Sequence, residues 1–281
     1  MKIKKKQNFW IGIGVLVFST ALPAVEIEDG LDCVMEPSDE VEISSPVQGV
    51  LESVTVDRGD FVKKGQVVAK LQSGVEEANL QLAKARAAID VDVQARKAEH
   101  EMKTRSAEQM EKLYAKKFVS WHDYDDAMTS GLVSKFDYKK AIEFKRLAKL
   151  ELIQAQEILN QHYLKSTVDG VVIEKMKSAG EFIEEQPVLK IAQIDPINVE
   201  VIVPVSQLGS VQLGMLGNVT AEKPVSKTYQ ARVTIIDPVI HASSGTFGVR
   251  LELPNPDGKI QAGLRCKVVF STNQYVSKVD E

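Results

Sequence analysis

The chain has 281 residues, 44% of them apolar, and carries 35 lysines and arginines against 39 aspartates and glutamates. That length and apolar content suit two or three small domains with cores of their own and exclude a chain disordered throughout. A net charge of -4 with both signs interspersed lacks the basic footprint of a nucleic-acid binder, so no nucleic-acid partner is expected.

At the start, MKIKKKQ carries four lysines and leads straight into FWIGIGVLVF and then STALPAVEIEDG. Residues 1–24 read as a signal peptide cut near Ala21 or Ala24. The other reading is a retained membrane anchor, because Phe9 to Val25 holds no charge. Either way the mass of the chain is expected outside the cytoplasm, since the basic residues stay inside. Residues 25–44 follow as lead strands. Cys33 and Cys266 have no nearby Cys or His at ligand spacing. An oxidising compartment permits a bridge between them, but two separate buried thiols are the expectation.

Gly49 to Leu71 reads GVLESVTVDRGDFVKKGQVVAKL, and 121 positions later the chain offers GVVIEKMKSAGEFIEEQPVLKIA. The two align without a gap: Gly59 meets Gly180, Asp60 meets Glu181, Phe61 meets Phe182, and Val62 meets Ile183. Each copy reads as strand, turn, strand, with Gly49, Gly59, Gly65, Gly170 and Gly180 expected at structural turns. A unit this short is marginal alone, so the halves at 45–73 and 165–193 are expected to close on one another as one sandwich.

Closing the halves forces the sequence between them, 74–164, to go out and come back. Val75 to Tyr114 is rich in Glu, Gln, Lys, Arg and Ala and reads as an outgoing helix. Its expected seam is Val75, Ala78, Leu82, Ala85, Ile89, Met102, Met110 and Leu113. The returning helix, about Asp123 to Tyr163, repeats every seven residues through Ala127, Ser134, Ala141, Ala148, Ala155 and His162, with Tyr138, Phe144, Leu152, Ile158 and Leu159 near the seam. Equal arms put the tip around Lys116 to Trp121, with Ser120 as N-cap. Phe118, Val119, Ser120, Trp121, Tyr124 and Asp125 are then candidate contact residues at an exposed tip, or they pack across the turn. FVSWHDYDDA is echoed by LVSKFDYKKA fourteen residues on, so Leu132, Ser134, Lys135 and Tyr138 form an alternative tip.

After the second copy, VEVIVPV, PVSKTYQARV, VTIIDPV, TFGVRLEL and LRCKVVF read as strands, and SQLGSVQLG as a short helix or helical turn. PNPDG at 254–258 is a strong turn signal, with Gly258 and Gly263 as turn glycines. Together they predict a small β-barrel over 194–270, with a small sandwich as the other arrangement such strands allow. The polar tail 271–281 reads as an edge strand beside the lead strands, or as a frayed end.

No catalytic, cofactor or metal constellation emerges. His100, His122, His162 and His241 lie far apart without a local metal pattern and are expected on surfaces or loops. EKMK at 174–177 looks like a prosthetic-group lysine loop, but it aligns with Ser53 to Val56 inside a repeat half rather than in the hairpin between halves. No cofactor is therefore expected.

This organisation resembles the periplasmic adaptor subunits, or membrane fusion proteins, of resistance-nodulation-division and HlyD-like efflux systems. The marks are SSPVQGVLESVTVDRGDFVKKGQVVAKL, EKLYAKKFVSWHDYDDA, STVDGVVIEKMKSAGEFIEEQPVLKIAQIDPINVEVIVP and LPNPDGKIQAGLRCKVVF, in that order over about residues 30 to 272. The tip serine of such adaptors is usually followed by a basic residue; Ser120 is followed by Trp121 and Ser134 by Lys135. The resemblance implies an elongated multidomain α+β protein: a split lipoyl-like β-sandwich, an inserted antiparallel coiled-coil hairpin, and a small β-barrel with a partial membrane-proximal region. It further implies a non-catalytic subunit in the periplasm, at the inner membrane of a Gram-negative bacterium. Its partners would be an inner-membrane transporter, an outer-membrane channel and further copies of itself. An adaptor of an ATP-driven export or secretion system, and an extracytoplasmic carrier or small-ligand-binding enzyme, are the other readings.

Overall fold

The computed structural model describes residues 30–271. The putting-together of the two repeat halves is visible strand by strand. The first half supplies β2 (Gly49–Val54), β3 (Phe61–Val62) and β4 (Val67–Leu71), and the second supplies β6 (Gly170–Lys175), β7 (Phe182–Ile183) and the start of β8 (Leu189–Pro204). They are flanked by β1 (Leu31–Ile43) and β5 (Tyr163–Lys165). The short strand of each half crosses over to pair with the other half. Phe61 and Val62 register with Val171 and Gly170, while Phe182 and Ile183 register with Val50 and Gly49. One sheet of the sandwich therefore runs β5-β4-β2-β7, and the other contains β8-β6-β3 with β1 also on β8.

The repeat extends to individual hydrogen bonds. The N–H of Gly59 donates to the carbonyl of Val172 and that of Gly180 to the carbonyl of Leu51, both at 2.8 Å. The carboxylate of Asp60 accepts from the N–H of Asp57, and that of Glu181 from the N–H of Ser178. Gly59, Gly65 and Gly180 sit at positive φ in these turns, where a Cβ would be strained. Gly49 and Gly170 do not: contrary to expectation they begin strands rather than turns. What they provide is close approach, because a Cβ on Gly170 would lie 2.3 Å from the Ala192 carbonyl oxygen. Between the sheets, Leu51, Val62, Val68, Leu71, Val172, Ile183, Leu189 and Ile191 are buried as one core.

Beyond Ala192, β8 leaves the sandwich and enters a barrel with η-turn 205–207, β9 (Leu216–Ala221), β10 (Thr228–Ile236), β11 (Thr246–Leu253) and β12 (Arg265–Phe270). The lead region is one 13-residue strand rather than several, and it crosses between the domains beside β8. Its first half pairs with both β12 and β8, so the ring β1-β12-β9-β10-β11-β8 closes on itself without an edge. Alternate residues fill the interior: Ile197, Val199, Val201 and Val203 from β8, and Phe247, Val249 and Leu251 from β11. Strand β9 was not among those anticipated, and PVSKTYQARV and VTIIDPV merge into β10. The tail's anticipated strand lies outside the described residues; β1 pairs with β12 and β8.

Cys33 and Cys266 are direct cross-strand partners in this ring and form a disulfide. The expectation of two separate thiols is overturned. Sequence spacing says nothing about which strands close a barrel, and closure is what brings β1 to β12.

The turn expected at PNPDG does more than reverse the chain. Asn255 is buried, and its side chain donates to the carbonyls of Ile194 and Ile260 while its oxygen accepts from the N–H of Ile260. Its own N–H donates to the Asp195 carboxylate. The turn is thereby pinned to β8 where that strand passes between the domains. Gly258, at positive φ, lies so near the ring of Phe61 that a Cβ would sit 2.9 Å from it.

Candidate functional site: the turn at the end of the helices

Between β4 and β5 stand α1 (Gly74–Ala88), α2 (Val91–Ala115) and α3 (Trp121–Asn160). Forty residues make α3 about 60 Å long. The contacts run antiparallel: Arg86 faces Glu151, Asp90 bonds Lys145, His100 meets Ser134, and Tyr114 stacks on Tyr124. The outgoing arm is two helices, because the chain opens to extended geometry at Ile89. Asp90, which precedes α2 just after this break, is held by the ammonium of Lys145 on α3 and by Gln94 of α2. The Lys145 bond, followed by that of Gln94, keeps the Asp90 carboxyl below its ordinary pKa.

The seam of α3 includes buried Ser134, Ala141 and Leu159, but Phe144 and Ile158 face outward. On the outgoing side Leu80, Ala83 and Ala107 are buried, whereas the expected Val75, Ala78, Leu82, Ala85, Ile89 and Met102 are exposed. A face poor in large side chains hid its register, and the break at Ile89 shifts it. Small residues let the helices approach: a Cβ on Gly131 would meet the Ala107 Cβ at 3.6 Å.

At the far end, α2 stops in a Schellman arrangement. The N–H of Phe118 donates to Leu113 and that of Lys117 to Tyr114, with Lys117 in the left-handed region at φ 60°. Ser120 then caps α3: its hydroxyl accepts from the N–H of Asp123, and the Asp123 carboxylate accepts from the Ser120 N–H and hydroxyl. These bonds, the hydroxyl first, lower the pKa of Asp123. Such over-determined backbone leaves Phe118 and Trp121 standing in solvent, 74% and 62% exposed. Val119 is half-buried, Tyr124 packs on Tyr114, and Asp125 is exposed on the first turn of α3. Sequence reading overlooked Tyr114 and Lys117; the only signal for Tyr114 was a second tyrosine ten residues before Tyr124.

The alternative set lies elsewhere. Leu132, Ser134, Lys135 and Tyr138 are inside α3, Ser134 is buried, and its hydroxyl donates to the Gly131 carbonyl instead of capping a helix. His100 lies half-buried between the arms, beside Ser134, Thr104 and Tyr138. His162 is buried at the base of the arms, with Nε2 3.7 Å from Glu76. Surface placement thus fails for His162, because the return of α3 to β5 packs it against α1. In the EKMK stretch Lys175 pairs with Asp57 and Lys177 with Glu181. Among the described residues no cluster of three His, Cys, Asp or Glu is placed to hold a metal ion, and no helix is long and apolar enough to cross a membrane.

A sandwich of two interlocked halves, a helical excursion between them and a following closed barrel define the class of periplasmic adaptor, or membrane fusion, proteins. The chain belongs to the family described as CzcB-like, barrel-sandwich hybrid domain, whose model matches residues 39–193; the CusB-like, beta-barrel domain model matches residues 196–274. It is 24% identical over 244 residues to the cobalt-zinc-cadmium resistance protein CzcB of Cupriavidus metallidurans, covering 80% of this chain and 44% of that one. It is 24% identical over 237 residues to the macrolide export protein MacA of Yersinia pestis, covering 81% and 63%. The chain thus spans about half the length of the curated relatives it matches. In fold it is similar to the crystal structure of MacA from Actinobacillus actinomycetemcomitans, with a TM-score of 0.69 and 20% identity over 86% of this chain and 77% of that one.

Proposed function

We propose that this chain is a non-catalytic periplasmic adaptor coupling an inner-membrane transporter to an outer-membrane channel in an export complex. The observation that carries the reading is the aromatic turn. Helices inserted between interlocked halves have no fold-building reason to extend about 60 Å, nor to end in a rigid turn that leaves Phe118 and Trp121 in water. In this reading α1, α2 and α3 form an antiparallel coiled-coil hairpin, supported by the small seam residues Ser134, Ala141 and Ala148. Phe118, Val119, Ser120, Trp121, Tyr124 and Asp125 engage the channel.

Several copies assemble around the conduit, and the outward apolar side chains of α3, among them Leu132, Phe136, Phe144 and Leu147, support lateral contact between copies. Weak contacts repeated in a ring add through effective concentration. One relative is named for cobalt-zinc-cadmium resistance and another for macrolide export, so the coupler is taken as common and the cargo as the transporter's choice. A photo-crosslinking amino acid in place of Trp121, in cells, is expected to yield an adduct with an outer-membrane channel. Adducts confined to inner-membrane or soluble proteins would count against the assignment.

A further inference from the structure

The strand directions put two loops and both ends of the described residues, 30 and 271, on one rim of the barrel. Strands β8 and β10 end there at Pro204 and Ile236, β9 and β11 begin there, and the N–H of Val205 donates to the Gly245 carbonyl, joining loop 205–215 to loop 237–245. Leu31 begins β1 beside Val268 of β12, so the chain enters and leaves by this same rim. The loops are apolar and uncovered: Leu208 is 57% exposed, and Leu213 and Val239 are 67% exposed. Ile240 is exposed beside them. Residues 205–215 and 237–245 carry one formal charge, Asp237, whose carboxylate lies over Gly248 on the barrel wall.

The opposite end of the barrel is the internal control. Its connections, 222–227 and 254–264, contain Glu222, Lys223, Lys227, Asp257 and Lys259, and expose no large apolar side chain. At that end β1 and β8 run on into the sandwich and the turn in 254–264 is pinned to β8, so 222–227 is the comparison that faces solvent.

The chain itself names the occupant. The uncharged run Phe9 to Val25, led by four lysines, stops six positions before Leu31. Six residues reach at most roughly 20 Å. On the retained-anchor reading of residues 1–24, the apolar phase that takes that run is therefore within reach of the rim. We infer that this rim is a lipid contact: Leu208, Leu213, Val239 and Ile240 enter the interfacial layer of the bilayer and set the barrel against the membrane surface. Apolar side chains on low-charge loops gain by leaving water for the headgroup and acyl boundary, in proportion to the area buried. The inference goes beyond the coupling role and does not depend on it, since it needs neither transporter nor channel.

The test uses the full chain reconstituted, without any transporter, in vesicles of phosphatidylethanolamine and phosphatidylglycerol containing a phospholipid with an acyl-chain diazirine. Irradiation is expected to leave lipid adducts on loops 205–215 and 237–245 and not on 222–227 or 254–264. Replacing Leu208→Asn, Leu213→Asn and Val239→Asn together, at exposed positions, is expected to keep the melting midpoint and cut adducts on the two loops about tenfold. Adducts confined to residues 1–29, none at all, equal labelling of both barrel ends, or loop labelling unchanged in the variant would overturn the inference. Loops that stay unlabelled in vesicles but become shielded on co-purification with an inner-membrane transporter would assign the rim to protein and overturn it equally.

Discussion

Gly170 approaches Ala192 so closely that a Cβ added to it would stand 2.3 Å from the Ala192 carbonyl oxygen, whereas the equivalent Gly49 would meet only the Cδ2 of Leu71, at 2.9 Å. Backbone cannot yield as a side-chain methyl can. Gly170→Ala is therefore expected to destabilise the sandwich by about 3 kcal/mol or more, and Gly49→Ala by about 1–2 kcal/mol, which is the range for overpacked sites. Urea melts of the two variants check the order; equal losses would show that the backbone at Ala192 yields as readily as the Leu71 methyl does.

The Cys33–Cys266 disulfide joins strands 233 positions apart and closes the barrel ring. Cross-linking so long a loop restricts the unfolded chain. Reduction, or Cys33→Ser with Cys266→Ser, is expected to cost about 2–5 kcal/mol. The midpoint of barrel unfolding in guanidinium, with and without reductant, measures it. No change on reduction would mean that strand pairing alone holds the ring.

Folding and engagement separate at the aromatic turn. Ser120→Ala removes the cap of α3 and is expected to lower stability by about 1 kcal/mol. Phe118→Ser with Trp121→Ser changes exposed side chains and is expected to leave stability within about 0.5 kcal/mol of the parent while abolishing the channel adduct of a photo-crosslinking amino acid placed instead at exposed Asp125. A large loss of stability in the double variant would instead make these aromatics packing residues.

Several carboxylates bear on the helices. Asp90 is lowered in pKa by Lys145 and Gln94, Asp123 by the Ser120 hydroxyl and N–H, and Glu77 by the Ser73 hydroxyl and then Lys70. A folded-state value below the unfolded one means the folded form binds protons more weakly. Their contribution is then present above about pH 4 and lost as pH falls through the folded values. The helical signal should melt at lower temperature at pH 3 than at pH 7, and Asp90→Asn should narrow that gap. A gap unchanged by Asp90→Asn would show that the Asp90–Lys145 bond from the start of α2 to α3 carries no weight.

The interlocked sandwich was legible because its signal is a gapless repeat in which glycine, acid and phenylalanine recur in step. The helical stretch was legible from composition, but its register was not. Ala and Gly make the seam by permitting approach rather than by apolar bulk, so Gly131, which reads as a helix breaker, marks the contact with Ala107. The echo around Ser134 misled for the same reason, since a serine bonded to the preceding turn reads like a cap until the helix before it is seen. The disulfide and the burial of His162 depend on barrel closure and on the return of α3, which no local pattern encodes. Nor did SQLGSVQLG disclose its exposed leucines, because a turn residue's exposure is decided by what lies across the rim.

If the helices serve to bridge and not to build, they are dispensable to the rest. Replacing residues 74–161 by a short turn between β4 and β5 should leave the sandwich and barrel melting as before, because these strands already pair through Lys70 and Tyr163. The decisive readout is export of pump substrates in a strain lacking this gene and any substitute adaptor. The account predicts that the full chain restores export and the excised chain, folded and present at equal abundance, does not. Export restored by the excised chain, or unimpaired without the gene, would contradict it.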